Sequence, residues 1–327
     1  MTRAAGAFWE EGASRPHVSE EKIELPAFAK INLGLRVHGR RADGYHEIST
    51  VFQTVTLHDK LTFESRPGDG LELHCSDPDV PAGEGNLVLR AARALRERYG
   101  AGRGARVTLE KRIPAGGGLG GGSSDAAAAL VALAGLWGIE TSKGELVEIG
   151  ARLGADVPFF LTGGTALGTG TGAFVTPLAD APKIDLVVVT PGVRVSTAEA
   201  YRGLNAPALT KVEGAVNLSV SRAEAGFSDS LREVGSNDFE AVVARLEPEV
   251  ARARDALLGA GARRAMLSGS GSSVFGVFDS KGEAARAREV LRAEGGWQVS
   301  ACATLTRAEY LRELGPCAAV LLRGRGA

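Results

Sequence analysis

The chain has 327 residues, 44% hydrophobic and 24% charged, with a formal net charge of −1. Such a length suits two domains, and the near-neutral balance gives no electrostatic case for nucleic acid or an anionic membrane as partner. No apolar run reaches the ~18 residues of a membrane span. Cys75, Cys302 and Cys317 form neither a disulfide framework nor a metal pattern, which points to a reducing, cytoplasmic compartment.

Ahead of Lys22 the chain carries Glu10, Glu11, Glu20 and Glu21 and has no signal-peptide core, so it is expected to be a frayed extension. Residues 22–37 alternate as one long strand. Further strands are expected over Thr50–Leu57, Lys60–Ser65, Leu71–Cys75 and Val107–Lys111. Helices are expected over Leu87–Tyr99, Ser124–Trp137 and Lys143–Leu153. Near Ala181-Pro182 the pattern restarts. It runs strand Lys183–Thr190, helices Thr197–Gly203, Asp238–Leu246 and Glu249–Ala260, strands Arg264–Leu267 and Val274–Phe278, helix Glu283–Ala293 and strand Gln298–Thr304. That order is a split β-α-β sandwich of the ferredoxin-like kind. Residues 205–235 are polar and poorly periodic, as in a long loop with partial helix, and the last residues form a loose tail.

The most informative stretch is Pro114-Ala-Gly-Gly-Gly-Leu-Gly-Gly-Gly-Ser-Ser-Asp125, which runs straight into an alanine-rich segment. Its glycines free the backbone to approach a ligand, and Ser123 or Ser124 is expected to cap the helix that follows. A strand, a glycine loop and a helix N-terminus make an anion site, most often for phosphate. The loop lacks the Lys-Ser/Thr ending of a Walker loop. No acidic residue stands where a dinucleotide fold needs one.

Other residues carry two readings each. Asp156, in Gly-Ala-Asp-Val-Pro-Phe-Phe, could cap a helix or stand near a buried site. Lys30, inside an apolar strand, either snorkels or is paired, and Asn32 lies on the same side of that strand.

Three segments together resemble the motifs of the GHMP kinases, in the same order and at similar spacing. They are Pro26-Ala-Phe-Ala-Lys-Ile-Asn-Leu33, the glycine loop, and Leu267-Ser-Gly-Ser-Gly-Ser-Ser-Val-Phe275. The likeness runs over roughly residues 22–305. A fourth segment, Arg41-Ala-Asp-Gly-Tyr-His46, resembles the branch of this family whose acceptor carries a cytidine diphosphate.

The resemblance implies an α+β fold of two domains. Residues 22–180 would form a ribosomal protein S5 domain 2-like unit with the phosphate loop, and residues 181–310 the ferredoxin-like one. It implies ATP-dependent phosphorylation of the 2-hydroxyl of 4-diphosphocytidyl-2-C-methyl-D-erythritol, in the non-mevalonate route to isoprenoid precursors. Mg²⁺ is implied by ATP chemistry alone. Asp156 would be the general base, and Lys30 would keep it ionised and stabilise transferring charge, with Asn32 binding substrate. Tyr45 and His46, otherwise ordinary turn residues, would contact the cytidine or its diphosphate, with Phe52 packed beside them. Tyr201, otherwise a core aromatic, would stack on the base, with Thr197 nearby. Pro114, Gly116, Gly117, Gly118, Leu119, Gly120, Gly121, Gly122, Ser123 and Ser124 would wrap the ATP phosphates. Ser268, Gly269 and Gly271 would close over them. Asn86 and Lys111 match positions near adenine and ribose, though a helix cap and a solvated strand-end charge are the plain alternatives. Asp125 stands where many relatives have asparagine. A monomer or weak homodimer is expected. The alternatives are a GHMP kinase for another small alcohol, of the homoserine or phosphomevalonate type, and a non-catalytic nucleotide-binding relative.

Overall fold

The computed structural model describes residues 22–209 and 235–323; the first 21 residues and most of the 205–235 segment lie outside them. Two sheets organise the chain. The first holds β1 (Lys22–Arg40), β2 (His46–Arg66), β3 (Leu71–Cys75), β4 (Gly104–Glu110), β5 (Thr165–Gly170) and β6 (Phe174–Pro177). Its order is β3-β4-β2-β5-β6, with β1 paired to β2. The segments Thr50–Leu57 and Lys60–Ser65, expected as two strands, are one 21-residue strand. Antiparallel pairing with β1 from His46 to Glu64 carries β2 through His58 and Asp59.

Helices α1 (Leu87–Tyr99), α2 (Gly121–Leu136), α3 (Lys143–Leu153) and the short α4 (Val157–Phe160) cover this sheet. The centre is α2, whose residues from Ser124 to Ala134 are all buried. A helix apolar on every side belongs inside a core rather than on a surface.

The second sheet has the order β10-β7-β9-β8, all antiparallel, from β7 (Asp185–Pro191), β8 (Arg264–Leu267), β9 (Val274–Phe278) and β10 (Trp297–Ala303). Fourth strand beside first, first beside third, third beside second is the ferredoxin-like arrangement. Alternation along β7 divides its side chains. Val187 and Val189 face α5 (Thr197–Leu204), α6 (Glu240–Leu246), α7 (Pro248–Gly259) and α8 (Lys281–Leu291), while Leu186 and Val188 face the first sheet. From Leu305 the chain returns to the first core, through Tyr310 in α9 (Arg307–Glu313) and on to Leu321 in α10 (Ala319–Leu322).

A third cluster joins the halves: Ala29, Ile31 and Leu33 of β1 pack with Leu186, Val188 and Phe275 of the second sheet. Strand β1 can do this because it changes sides. Ile23, Leu25 and Ala27 belong to the first core, and a bulge then interrupts the register between Phe28 and Lys30. Between those two positions β1 advances by two residues while β2 advances by four, from His58 to Thr54, and across this irregularity the alternation of β1 inverts. Beyond it the odd positions face the second sheet, and Lys30 and Asn32 face the layer of α2 and α4.

Candidate active site

The inverted stretch of β1 delivers a lysine where burial works against its charge. Lys30 is 4% exposed. Its ammonium donates to Asn32 Oδ1 at 2.7 Å, stands 3.7 Å from Asp156 Oδ2, and lies 5.5 Å from the centre of the Phe52 ring. Asn32 is oriented in turn, donating through Nδ2 to Thr50 Oγ1 at 2.7 Å, and Thr50 donates to the Gly34 carbonyl. Burial pushes the Lys30 pKa below its ordinary value, and the Asp156 carboxylate opposes that shift. Asp156 occupies the cap position of α4, but its side chain makes no capping hydrogen bond. The carboxylate is therefore turned to Lys30 rather than to the helix, and it stays partly open to solvent.

The glycine loop is held through its carbonyl groups. Gly117 O accepts from Ser273 N at 3.0 Å, Gly118 O from Ser268 Oγ at 3.0 Å, and Leu119 O from Lys30 N at 2.9 Å. A loop that receives phosphate must turn its carbonyl oxygens away from the anion, and these three are anchored outside it. The Leu119 side chain is buried in the joining cluster, which pins the loop's middle.

Helix α2 then begins at Gly121, three residues before the expected start, and neither Ser123 nor Ser124 caps it. Gly120 takes the cap position with φ +73°, which a serine would not readily adopt. The first amide spent inside the helix is that of Ser124, to Gly120 O. The amides of Gly121, Gly122 and Ser123 are thus left for a ligand.

Between the two halves lies a cleft of about 1400 Å³. Lys30, Asn32, Phe52, Asp156, Gly118, Gly120, Ser123 and Gly269 line it, and so do Tyr45, His46, Thr197 and Tyr201. The Arg-x-Asp-Gly-Tyr-His segment is a hairpin turn built by its own side chains. Asp43 accepts from Tyr45 N and from the Arg41 guanidinium, and Gly44 adopts φ +86°. Tyr45 stands 66% exposed at the rim. His46 stacks on Tyr201 at 4.4 Å and 21°, and Phe239 meets Tyr201 edge-on. Burial, helped by Arg40, lowers the His46 pKa, so the ring is neutral at neutral pH. Burial, with Asp156 nearby, pushes Tyr201 up to about 12. Thr197 Oγ1 meets Ser270 Oγ at 3.0 Å and so ties α5 to the Ser268–Ser273 loop.

The remaining nucleotide candidates, Asn86, Lys111, Pro114, Gly116, Gly117, Leu119, Gly121, Gly122, Ser124, Ser268 and Gly271, fall outside this lining. Asn86 caps α1, accepting from Val88 N at 2.9 Å. Lys111 is not a solvated strand-end charge. Its side chain is 5% exposed, and its ammonium lies between Asp59 and Asp125.

Sequence reasoning missed two groups. Asn237 donates through Nδ2 to the carbonyls of Leu267 and Gly269 and accepts from Phe239 N, so it shapes the Ser268–Ser273 loop. Nothing in its flanking residues marks it. Asp59 is the other; the sequence sets it between two expected strands, and only the unbroken β2 of the structure shows it as a buried carboxylate that needs partners.

The family model of the GHMP kinases N terminal domain matches residues 86–164, and that of the GHMP kinases C terminal domain matches residues 219–296. A relative from Moorella thermoacetica, named 4-diphosphocytidyl-2-C-methyl-D-erythritol kinase, is 47% identical over 270 residues, covering 81% of this chain and 92% of its own. A relative of the same name from Prosthecochloris aestuarii is 43% identical, over 84% of this chain and 95% of its own. The crystal structure of a 4-(cytidine 5'-diphospho)-2C-methyl-D-erythritol kinase superposes with a TM-score of 0.71 at 39% identity, covering 86% of this chain and 99% of that one. These likenesses extend over both halves of the cleft, and the chain belongs to the GHMP kinases, in the branch of the 4-diphosphocytidyl-2-C-methyl-D-erythritol kinases.

Proposed function

We propose that this chain transfers the γ-phosphoryl group of ATP to the 2-hydroxyl of 4-diphosphocytidyl-2-C-methyl-D-erythritol, with the following division of labour. The single observation that carries it is the Lys30–Asp156 pair, 3.7 Å apart in one cleft with Gly118 and Gly120 of the glycine loop on one side and Tyr45, His46 and Tyr201 on the other. Asp156, beside the Lys30 ammonium, accepts the proton of the attacking hydroxyl. Lys30, fixed by Asn32, stabilises the charge that develops on the transferring oxygens. The open amides of the first turn of α2 bind the phosphates, and the aromatic side of the cleft holds the cytidine. Catalysis of this kind rests on positioning and charge stabilisation.

Among the described residues no group of three or more His, Cys, Asp or Glu could hold a metal ion. Mg²⁺ is proposed only as the companion of the ATP phosphates, which together with water supply its oxygen ligands. Among the described residues no helix is long and apolar enough to cross a membrane. The three free cysteines favour a reducing, cytoplasmic setting. Among the described residues only a few large apolar side chains outside the cleft are exposed, Phe174 and Val290 among them, in keeping with a monomer or weak homodimer.

Asp156→Asn tests the base. Turnover should fall by about 10²–10⁴-fold, the usual scale of general-base catalysis. Calorimetric affinity for the cytidine substrate should stay within about threefold. Wild-type turnover in this variant removes Asp156 from the role.

A further inference from the structure

Behind the glycine loop lies a buried charge cluster that the proposed chemistry does not use. Asp59, in β2, is fully buried. One of its carboxylate oxygens accepts from the amides of Arg112 at 2.5 Å and Ile113 at 2.8 Å, the residues just before Pro114. Its other oxygen meets the Lys111 ammonium. That ammonium donates onward to Asp125 Oδ2 at 3.0 Å, inside α2. A continuous polar chain therefore links the entry of the glycine loop to its exit. Lys111 also passes the base of Gly121, where a Cβ would lie 3.1 Å from Nζ. The cluster is expensive as pure scaffolding: two carboxylates share one ammonium, and Asp125 Oδ1 is buried with no partner. Apolar side chains of similar size would fill the space at least as stably.

We infer that Asp59, Lys111 and Asp125 form a clamp that sets the spacing between the two ends of the glycine loop and thereby the loop's grip on the ATP triphosphate. This rests on the proposed nucleotide site but not on the identity of the acceptor. All three are positioning residues. Lys111 acts through the loop rather than by direct contact with the cleft.

The clamp has an inherent pH dependence. The groups facing Asp125 are Asp59 from β2, Lys111 at the end of β4 and, more weakly, Cys75 from β3, itself influenced by Asp77. Burial raises Asp125 to about 7, with the neighbouring Asp59 adding to the shift and Lys111 opposing it. Burial works against the Lys111 charge, but Asp125 and Asp59 outweigh it, and its pKa ends raised. Below about pH 7 the Asp125 carboxyl is protonated and uncharged. Above it, its negative charge sits under the helix turn that receives phosphate and competes with the phosphate for the positive end of the helix dipole.

The test is affinity for a non-hydrolysable ATP analogue, measured by calorimetry on the full chain between pH 6 and 8.5. Asp59→Asn should weaken the analogue about tenfold or more and change cytidine-substrate affinity by less than about threefold. Equal losses for both ligands, or none for either, overturn the clamp. Should Asp59→Asn fail to fold, Asp125→Asn decides alone. The ratio of wild-type to variant Kd should rise about threefold or more from pH 6 to 8.5, because only the wild type gains a charge there. A flat ratio overturns the inference. Failure of the cytidine substrate to bind the wild type would count against the proposed acceptor and leave these nucleotide readings intact.

Discussion

Alanine at Gly118 should damage the protein far more than alanine at Gly116, and the difference is set by what each Cβ would meet. Both glycines hold φ in the left-handed region, +73° at Gly116 and +78° at Gly118. An L-residue in that region costs about 1–2 kcal/mol, so both variants carry this penalty. Around Gly116 nothing lies within 4 Å of the added carbon. At Gly118 the same carbon would stand 3.0 Å from Gly271 O and 3.2 Å from Gly271 N, and closer still to the Ser268 carbonyl oxygen. These are backbone atoms and cannot rotate aside. The glycine loop and the Ser268–Ser273 loop must part, straining the Ser268–Gly118 and Ser273–Gly117 hydrogen bonds. Overpacking of this kind adds about 1–3 kcal/mol. With roughly 2–4 °C lost per kcal/mol in domains of this size, Gly118→Ala should melt roughly 2–12 °C below Gly116→Ala. Its kcat/KM should fall by up to about 100-fold as the phosphate amides shift. Thermal melts of the two variants side by side supply the measurement. Indistinguishable melting would refute the claim that these two loops are locked by backbone contact.

Lys30 should impose an alkaline limb on turnover. Its ammonium is the active form and burial lowers its pKa, so activity should be full below that lowered value and fall as pH rises through it, at a midpoint under the ordinary 10.5. A kcat profile flat to pH 10.5 would show that the charge on Lys30 is not needed. Tyr201→Ala should cost about 1–3 kcal/mol of base stacking, or roughly 5–150-fold in KM for the cytidine substrate, with KM for ATP moved by less than about threefold. Equal effects on the two substrates would remove Tyr201 from the base pocket.

The second sheet was readable in the sequence because its signals are local: a Val-rich strand and a strand-helix order that admits few topologies. Ser196 and Ser280 cap the helices expected after them. The glycine loop was readable for a similar reason, since a run of glycines leading into a buried helix has few structural uses. What escaped notice depends on partners distant in the chain. The register shift between β1 and β2, the continuity of β2 through Asp59, and the role of Asn237 all follow from pairing or packing across long separations. The missing serine cap on α2 had a local cause that propensity ranks wrongly. Serine is favoured at a helix start in general, but a helix entered from a left-handed glycine needs no side-chain cap. A ligand can then supply what the cap would have supplied.

Strand β1 explains why the proposed chemistry sits between the two halves. Past the bulge, Ala29, Ile31 and Leu33 pack against the second sheet, while Lys30 and Asn32, the residues between them, enter the cleft. The amide of Lys30 also anchors the glycine loop at Leu119. One five-residue stretch thus binds the second sheet, holds the glycine loop and presents the ammonium, using its two faces and its main chain. A burial change at Ile31 cannot be confined to the core, because its neighbours on either side are the two polar residues that aim at Asp156 and Thr50. The spacing of Lys30 from Asp156 is therefore a property of how the two sheets pack, and the site is only as well defined as the joining cluster beneath it.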